Sequence, residues 1–339
     1  MGEARRVLVT GGAGFIGSEL VRGLAAAGHP VRVVDNLING RRENLEGVEG
    51  DVELIVADIR ERPGLPALMR GVEVVFHLAC LGVRHSIREP AESHDVNATA
   101  TLSLLSAARA ADVGRFVYVS SSEVYGTARH APMTEEHPTF PTTVYGASKL
   151  AGECYARAFF ETYGYPAVVI RPFNTYGPRC HHEGDSGEVI PKFLLRGMAG
   201  LPLVVFGDGT QTRDFTHVGD TAGGILRAGF TDGILGETIN LGSGKEIAIR
   251  DLARKVGEVL ERPVETTFDA PRPGDVLRLC ADASRARRLL GFRPEVTLER
   301  GLASLLEWYR GLGVSPETLL EREVVHAWDP GEVGGGASS

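Results

Sequence analysis

Tyr145 and Lys149, in the stretch Tyr145-Gly-Ala-Ser-Lys149, place a phenol and an ammonium four residues apart. On a helix that spacing puts both groups on one face. The pair is suited to moving a proton, but a free tyrosine has a pKa of about 10 and is no base at neutral pH. Half ionisation near pH 7 needs a shift of roughly three units, or about 4 kcal/mol. A lysine one turn away supplies part of it by stabilising the phenolate. The same spacing recurs by chance on many amphipathic helices, so its meaning depends on what else the chain carries.

Near the start stands Val7-Leu-Val-Thr-Gly11-Gly-Ala-Gly14-Phe15-Ile16-Gly17. A short apolar run reads as a buried strand, and Ser18-Glu-Leu-Val-Arg22 onward reads as a helix. Gly11, Gly14 and Gly17 then occupy a strand-to-helix turn, where backbone can approach a pyrophosphate and helix amides can face it. The following strand, Val31-Arg-Val-Val34, ends in Asp35, with Asn36 beside it. A carboxylate about 20 residues beyond such a loop can accept from a ribose hydroxyl and would repel a 2′-phosphate. These features predict NAD in preference to NADP, although Arg41 and Arg42 follow closely. The positive charge of an oxidised nicotinamide adds to the lysine's effect on Tyr145.

The elements that must hold these groups follow from periodicity. Strands are expected at 5–10, 31–35, 52–56, 73–77, 115–120 and 167–171, separated by stretches of helical length. Alternation of this kind predicts βαβ units and a parallel sheet covered on both faces. After Pro172 the texture changes to loops rich in Gly, Pro and His. A strand is expected at Thr238–Gly242, with helices at Ile249–Leu260 and Leu298–Tyr309. The Gly-rich segment 331–339 reads as a flexible tail.

With 339 residues the chain is long enough for two domains. A net charge of −8 argues against non-specific nucleic-acid binding. No apolar run approaches the roughly 20 residues that span a bilayer. The first strand begins almost at once, which predicts the absence of a signal peptide. Cys80, Cys154, Cys180 and Cys280 are scattered, as expected of reduced thiols in a cytoplasmic protein. Cys180-His181-His182-Glu183 superficially resembles a metal cluster. Adjacent ligands on one short segment rarely close a tetrahedral site, so no metal is expected.

Taken together, the glycine loop, Asp35 and Tyr145/Lys149 make the chain resemble the extended short-chain dehydrogenase/reductase family, and within it the NAD-dependent nucleotide-sugar epimerases and dehydratases. The likeness runs from about residue 5 to about residue 310. It implies a Rossmann-type doubly wound parallel sheet (1–172 and 214–246) with a smaller C-terminal α/β substrate-binding domain (173–213 and 247–330). Asp58-Ile59 matches the pair that contacts adenine, and Phe76-His-Leu78-Ala79 the strand end beside the cofactor. Asn97 matches an asparagine of the fourth helix, which would also serve the cofactor. Where relatives often carry glycine this chain has Ala100. Asn174, in Arg171-Pro-Phe-Asn174-Thr-Tyr-Gly-Pro-Arg179, matches an asparagine that contacts the sugar nucleotide. Arg213, in Gln211-Thr-Arg213-Asp-Phe-Thr-His217, and Arg272, in Arg272-Pro-Gly-Asp275, match arginines that reach the diphosphate. Two guanidinium forks suit phosphate oxygens. Ser121, aligned on the Val124-Tyr-Gly126 ending of its segment, falls where the family places the hydroxyl of a Ser/Thr-Tyr-Lys triad. Relatives pair through two helices per subunit, here near 97–111 and 146–163, so a homodimer is implied.

The chemistry that this resemblance implies begins with Tyr145, as phenolate, taking the proton of the sugar 4-hydroxyl while hydride leaves C4. Lys149 assists and Ser121 orients the oxygen. The resulting 4-keto sugar can be reduced on its other face, lose water across C5–C6, or, if a uronate, lose carbon dioxide. Glu123 keeps these outcomes open, because family dehydratases and uronate decarboxylases carry glutamate there as an acid/base. Ser122 stands where the thymidine-diphosphate-sugar dehydratases carry an aspartate. The Arg213 and Arg272 segments look more like epimerases, and the loop around Arg84 resembles the sugar-facing loop of uronate and N-acetylhexosamine 4-epimerases. Arg179 is expected either to meet a substrate carboxylate or to pair with Glu183 or Asp185. The leading expectation is a 4-epimerase of UDP-hexose or UDP-uronate type substrates. The alternatives are a 4,6-dehydratase, a UDP-glucuronate decarboxylase and, in a different class, a non-catalytic NAD-binding regulator.

Overall fold

The computed structural model describes residues 3–184, 186–272 and 274–326, so the predicted tail at 331–339 lies outside it. In chain order the strands are β1 (Val7–Thr10), β2 (Val31–Asp35), β3 (Val52–Val56), β4 (Val74–His77), β5 (Arg115–Val119), β6 (Ala167–Pro172), β7 (Asn174–Tyr176), β8 (Leu203–Phe206), β9 (Thr212–His217), β10 (Thr238–Leu241), β11 (Glu246–Ala248) and β12 (Thr266–Asp269). Seven of them form one sheet in the order β3-β2-β1-β4-β5-β6-β10. Every pairing in that sheet is parallel. The runs that read as apolar strands are these strands, within a residue or two of the expected ends.

A parallel sheet must be covered on both faces, and two apolar clusters do so. On one face Leu20, Val21 and Leu24 of helix Phe15–Ala26 pack with Ala222 and Ile225 of helix Val218–Phe230. On the other, Leu104, Leu105 and Ala108 of helix Ala100–Ala110 pack with Ala156 of helix Val144–Tyr163. Strand order reverses between β1 and β4, which opens a crevice at the carboxyl ends of the strands, where open α/β sheets receive ligands.

The remaining strands make a three-stranded sheet, β11-β9-β7, and a parallel pair, β12-β8. Strands β7, β8, β9 and β11 share a third apolar core with helices Val189–Met198, Ile249–Val259 and Leu298–Gly311. The last two helices coincide with those expected. The short strands were not foreseen, because segments of three to six residues are specified by their partners more than by their own periodicity.

Beneath the crevice lies a buried ion pair. Arg171, at the end of β6, donates from Nε and Nη2 to the two carboxylate oxygens of Glu153, at 2.8 and 2.6 Å. The side chains are 2% and 0% exposed. Ser120 donates to the same carboxylate at 2.5 Å, and Arg171 Nη1 donates to the Tyr125 hydroxyl at 2.7 Å. Removing one member strands the other charge in an apolar interior. Glu153→Ala is therefore expected to cost about 3–5 kcal/mol in urea-induced unfolding; a loss under about 1 kcal/mol would show the pair to be dispensable.

Candidate functional site

A single cavity runs along the crevice and is lined by the glycine loop at one end and by the short strands at the other. At the sheet end, Gly11 has φ +70°, and a Cβ there would stand 2.7 Å from the Ala79 amide. A Cβ on Gly17 would lie 2.0 Å from the Gly11 carbonyl. Backbone therefore packs on backbone, and only glycine permits it. Gly14 caps helix Phe15–Ala26 without any side-chain hydrogen bond. The amides of that helix's first turn have no intrahelical acceptor and form an anion seat.

Asp35 is buried at the tip of β2. Its carboxylate accepts from the Ala13 amide at 3.0 Å and the Leu37 amide at 2.9 Å, and burial raises its proton affinity. Arg41 pairs with Glu183 rather than reaching Asp35. Asp58 accepts from Asn36 at 3.0 Å and from Arg60, whose hydrogen bonds hold the carboxyl down at about 2. Asn36, Asp58, Ile59, Leu78 and Ala79 line this end together with Phe15 and Ile16. A cradle of glycine backbone, helix amides and a carboxylate acceptor fits a dinucleotide. Asn97 does not face the cavity wall. It is buried in a widened π-type turn, Asp95–Thr99, where it accepts from the Leu81 amide at 2.9 Å and donates to the Leu81 carbonyl at 3.0 Å. It holds up the loop after β4 from behind.

Helix Val144–Tyr163 carries the next groups. Thr143 caps it by accepting from the Gly146 amide at 3.1 Å, and Gly146 lies so close to the Glu123 carbonyl that a Cβ would be 2.6 Å away. The helix start is thereby locked against the turn at Ser122–Val124. Ser121, Glu123, Tyr145 and Lys149 all line the cavity. Ser121 accepts from the Glu123 amide at 3.2 Å, and its hydroxyl lowers the proton affinity of the Tyr145 phenol. The Lys149 Nζ is buried and donates to the Val119 carbonyl at 2.6 Å. Burial pushes this ammonium down from its ordinary value, against the pull of Cys80 and Glu153.

For Tyr145 the direction differs from the expectation. Burial raises its proton affinity, Cys80, Glu123 and Glu188 raise it further, and the Ser121 hydroxyl opposes them. The polypeptide by itself holds Tyr145 as a phenol, chiefly through burial.

At the far end Arg213 and Arg272 share one carboxylate, donating to Asp275 Oδ1 at 2.6 and 2.5 Å. One aspartate thus aligns two guanidiniums while leaving a net positive charge, an arrangement suited to a diphosphate. Glu123 lies within the field of Arg213, Arg272 and Arg84, yet burial still raises its proton affinity. Ser122 and Asn174 line the same space, and the Oδ1 atom of Asn174 is buried with no hydrogen-bond partner among the described residues. Such an acceptor calls for a donor from a ligand. Arg84 lines the cavity as well. Arg179 does not, and the predicted pairing with Glu183 is not formed. It binds Glu19 on helix Phe15–Ala26, while Glu183 is taken by Arg41, and Asp185 lies outside the described residues.

Glu188 escaped the sequence reading. It stands on the cavity wall at the start of helix Val189–Met198, and burial, opposed by Arg84, pushes its carboxyl up to about 8. At neutral pH it is mainly protonated and can donate a hydrogen bond. A lone glutamate before an apolar helix offered no signal of its own. Among the described residues no group of three His, Cys, Asp or Glu side chains could hold a metal. Cys180 is buried with its thiol pushed up, and His182 packs edge-on against Tyr309.

Residues 8–305 match the family described as GDP-mannose 4,6 dehydratase. A UDP-glucose 4-epimerase of Mycolicibacterium smegmatis is 40% identical over 311 residues, covering 90% of this chain and 98% of that protein. The UDP-glucose 4-epimerase of Thermotoga maritima, solved with UDP-glucose, superposes with a TM-score of 0.87 at 32% identity, covering 91% and 100% of the two chains. The dTDP-glucose 4,6-dehydratase DesIV of Streptomyces venezuelae, solved with NAD, gives a TM-score of 0.84 at 36% identity, covering 90% and 97%.

Two substitutions test the geometry. Gly17→Ala should abolish measurable dinucleotide binding in titration calorimetry, since its methyl cannot coexist with the Gly11 carbonyl; retained affinity would refute the cradle. Tyr145→Phe should keep dinucleotide affinity within about threefold while lowering turnover by roughly 10²–10⁴, the usual worth of a positioned acid/base group. Undiminished turnover would remove the phenol from the chemistry.

Proposed function

Because the chain belongs to the NAD-dependent nucleotide-sugar epimerases and dehydratases of the extended short-chain dehydrogenase/reductase family, we propose that it is a nucleotide-sugar 4-epimerase working through a transient 4-keto sugar on a UDP-hexose or UDP-uronate type substrate. The observation that carries this reading is that Ser121, Tyr145 and Lys149 share one cavity with the Arg213–Asp275–Arg272 cluster. A diphosphate held by the two arginines would lie in the same space as the phenol.

In this reading NAD, when bound, accepts hydride from the sugar C4 and returns it. Gly11, Gly14 and Gly17 with Phe15 and Ile16 seat the pyrophosphate, Asp35 and Asn36 the ribose, and Asp58 and Ile59 the adenine, while Leu78 and Ala79 flank the cofactor. Tyr145 takes and returns the proton at the 4-oxygen, and Ser121, on the same cavity wall, orients that oxygen. Lys149, anchored on the Val119 carbonyl, keeps positive charge beneath the reacting centre. Asn174 supplies its unpartnered carbonyl to the sugar nucleotide. Arg84 and Ser122 face the sugar.

Two features favour epimerisation over elimination. Ser122, in place of an acid, leaves that position without a proton donor of carboxyl strength for a departing 6-hydroxyl. The arginines that draw on Glu123 are the diphosphate pair and Arg84, which suits a carboxyl engaged in substrate binding. A second reading, dehydration or decarboxylation, draws support from the raised proton affinity of the same Glu123, which suits an acid/base group near neutrality.

Incubation with UDP-glucose, UDP-galactose, UDP-glucuronate, dTDP-glucose and GDP-mannose, followed by mass spectrometry and NMR, separates the readings. The expected product has the mass of its substrate and inverted C4, and Glu123→Gln should keep the rate within about tenfold. Loss of water or carbon dioxide, or a fall of about 10² or more in the Glu123→Gln enzyme, would assign the chemistry to a lyase. Tight NAD binding without any product would revive the non-catalytic regulator.

A further inference from the structure

The end of the cavity beyond the arginine pair is closed by chain from the far carboxyl side of the protein, outside every motif identified in the sequence. Residues 321–326, a run of turns with one isolated bridge between Glu323 and Gly184, form a strap along it. Three separate supports hold the strap. At its start the Gly184 amide donates to the Arg322 carbonyl at 2.8 Å, and Arg322 approaches Glu183 at 3.7 Å. In its middle Lys192 Nζ donates to the Val324 carbonyl at 2.7 Å, and Arg196 Nη1 donates to Glu323 at 2.7 Å. At its end His326 Nε2 meets Asp269 of β12 at 2.8 Å, with its ring 6.0 Å from that of Phe206 in β8.

Lys192 and Arg196 stand four residues apart on helix Val189–Met198, so they share a face, and both line the cavity. Two cations on a cavity wall would ordinarily be read as phosphate ligands. Here the strap engages both, and the Lys192 ammonium is pushed down to about 8 by burial beneath it. The diphosphate charge is thereby left to Arg213 and Arg272. The strap's two side chains that line the cavity are Glu323 and Val325. Val204 and Phe206 of β8, the latter beside His326, contribute further apolar surface to the same cavity. A wall that combines flat apolar area with one carboxylate acceptor matches a nucleoside, whose base is planar and whose ribose and ring nitrogens donate hydrogen bonds.

We propose that the strap 321–326 is a working wall of the nucleoside subsite, with Val325 packing on the nucleoside and Glu323 accepting a hydrogen bond from it while holding Arg196 away from the diphosphate. The proposal rests on the nucleotide-sugar reading of the cavity and extends it to the part that recognises the nucleoside. It is independent of whether the 4-keto sugar is epimerised or dehydrated.

Titration calorimetry with UDP, dTDP and GDP, on the wild type and on Val325→Asp, tests it. The diphosphate that binds the wild type most tightly should bind Val325→Asp at least tenfold more weakly, with NAD affinity within twofold. Equal binding by both proteins overturns the role of the strap and leaves the nucleotide-sugar reading intact. If the wild type binds NAD but none of the three diphosphates, the nucleotide reading of this end falls, and the proposal with it. Should Val325→Asp also lose NAD, hydrogen exchange on the wild type decides. Amides within 321–326 should slow at least tenfold on saturation with the tightest of the three diphosphates and stay unchanged with NAD alone; no slowing overturns the proposal.

Discussion

The buried pair between Glu153 and Arg171 is the constraint on which the rest of the site depends. Glu153 sits one turn after Lys149 on helix Val144–Tyr163, and Arg171 ends β6, so their two hydrogen bonds fix the azimuth of the helix that carries Tyr145. Ser120 joins the same carboxylate from the end of β5. Tyr125 connects the arginine to Asn240 of β10, accepting from one and donating to the other. Charges taken out of water are tolerated only where hydrogen bonds satisfy them, and here they also secure a unique packing. Gly152 completes the fit, because a Cβ there would stand 2.2 Å from the Tyr118 hydroxyl. The helix can therefore approach the sheet closely in one orientation only, and that orientation turns Tyr145 and Lys149 toward the cavity.

Much of the fold was legible because its signals are local. Strands β1 to β6 are apolar runs between helical stretches, and their parallel order follows from the crossovers. The phenol and ammonium were found by spacing, the glycines by their position in a strand-to-helix turn. Other features depend on contacts between distant residues and left no local mark. Glu153 reads as one more charge on an amphipathic helix, yet its side chain is fully buried. Arg179 has acids nearby in sequence, but its partner, Glu19, lies 160 residues away. Glu188 and the strap at 321–326 acquire meaning only from what the fold brings opposite them.

Several motif residues prove to support their neighbours. His77 bridges Thr10 and Thr101 at 2.7 and 2.8 Å and is kept neutral by burial, which pushes it down to about 3. Asp214, next to Arg213, accepts from the amides of Ser243, Gly244 and Ala281 and so ties β9 to two other segments. The pattern Arg-Asp at 213–214 thus divides its labour. One side chain faces the cavity, and the next pins the strand that presents it.

The surroundings of Tyr145 carry a consequence for the order of events. With burial foremost, and Cys80, Glu123 and Glu188 behind it, raising its proton affinity, the polypeptide alone keeps the phenol protonated. An oxidised nicotinamide brings a positive charge, and its reduced form does not. Under the proposed function the site would behave as an interlock. Proton abstraction by Tyr145 would be favoured while an oxidised cofactor is bound and disfavoured beside a reduced one. A half-finished keto sugar would then face a neutral phenol able to give its proton back, a bias of the proposed reaction toward completion instead of escape.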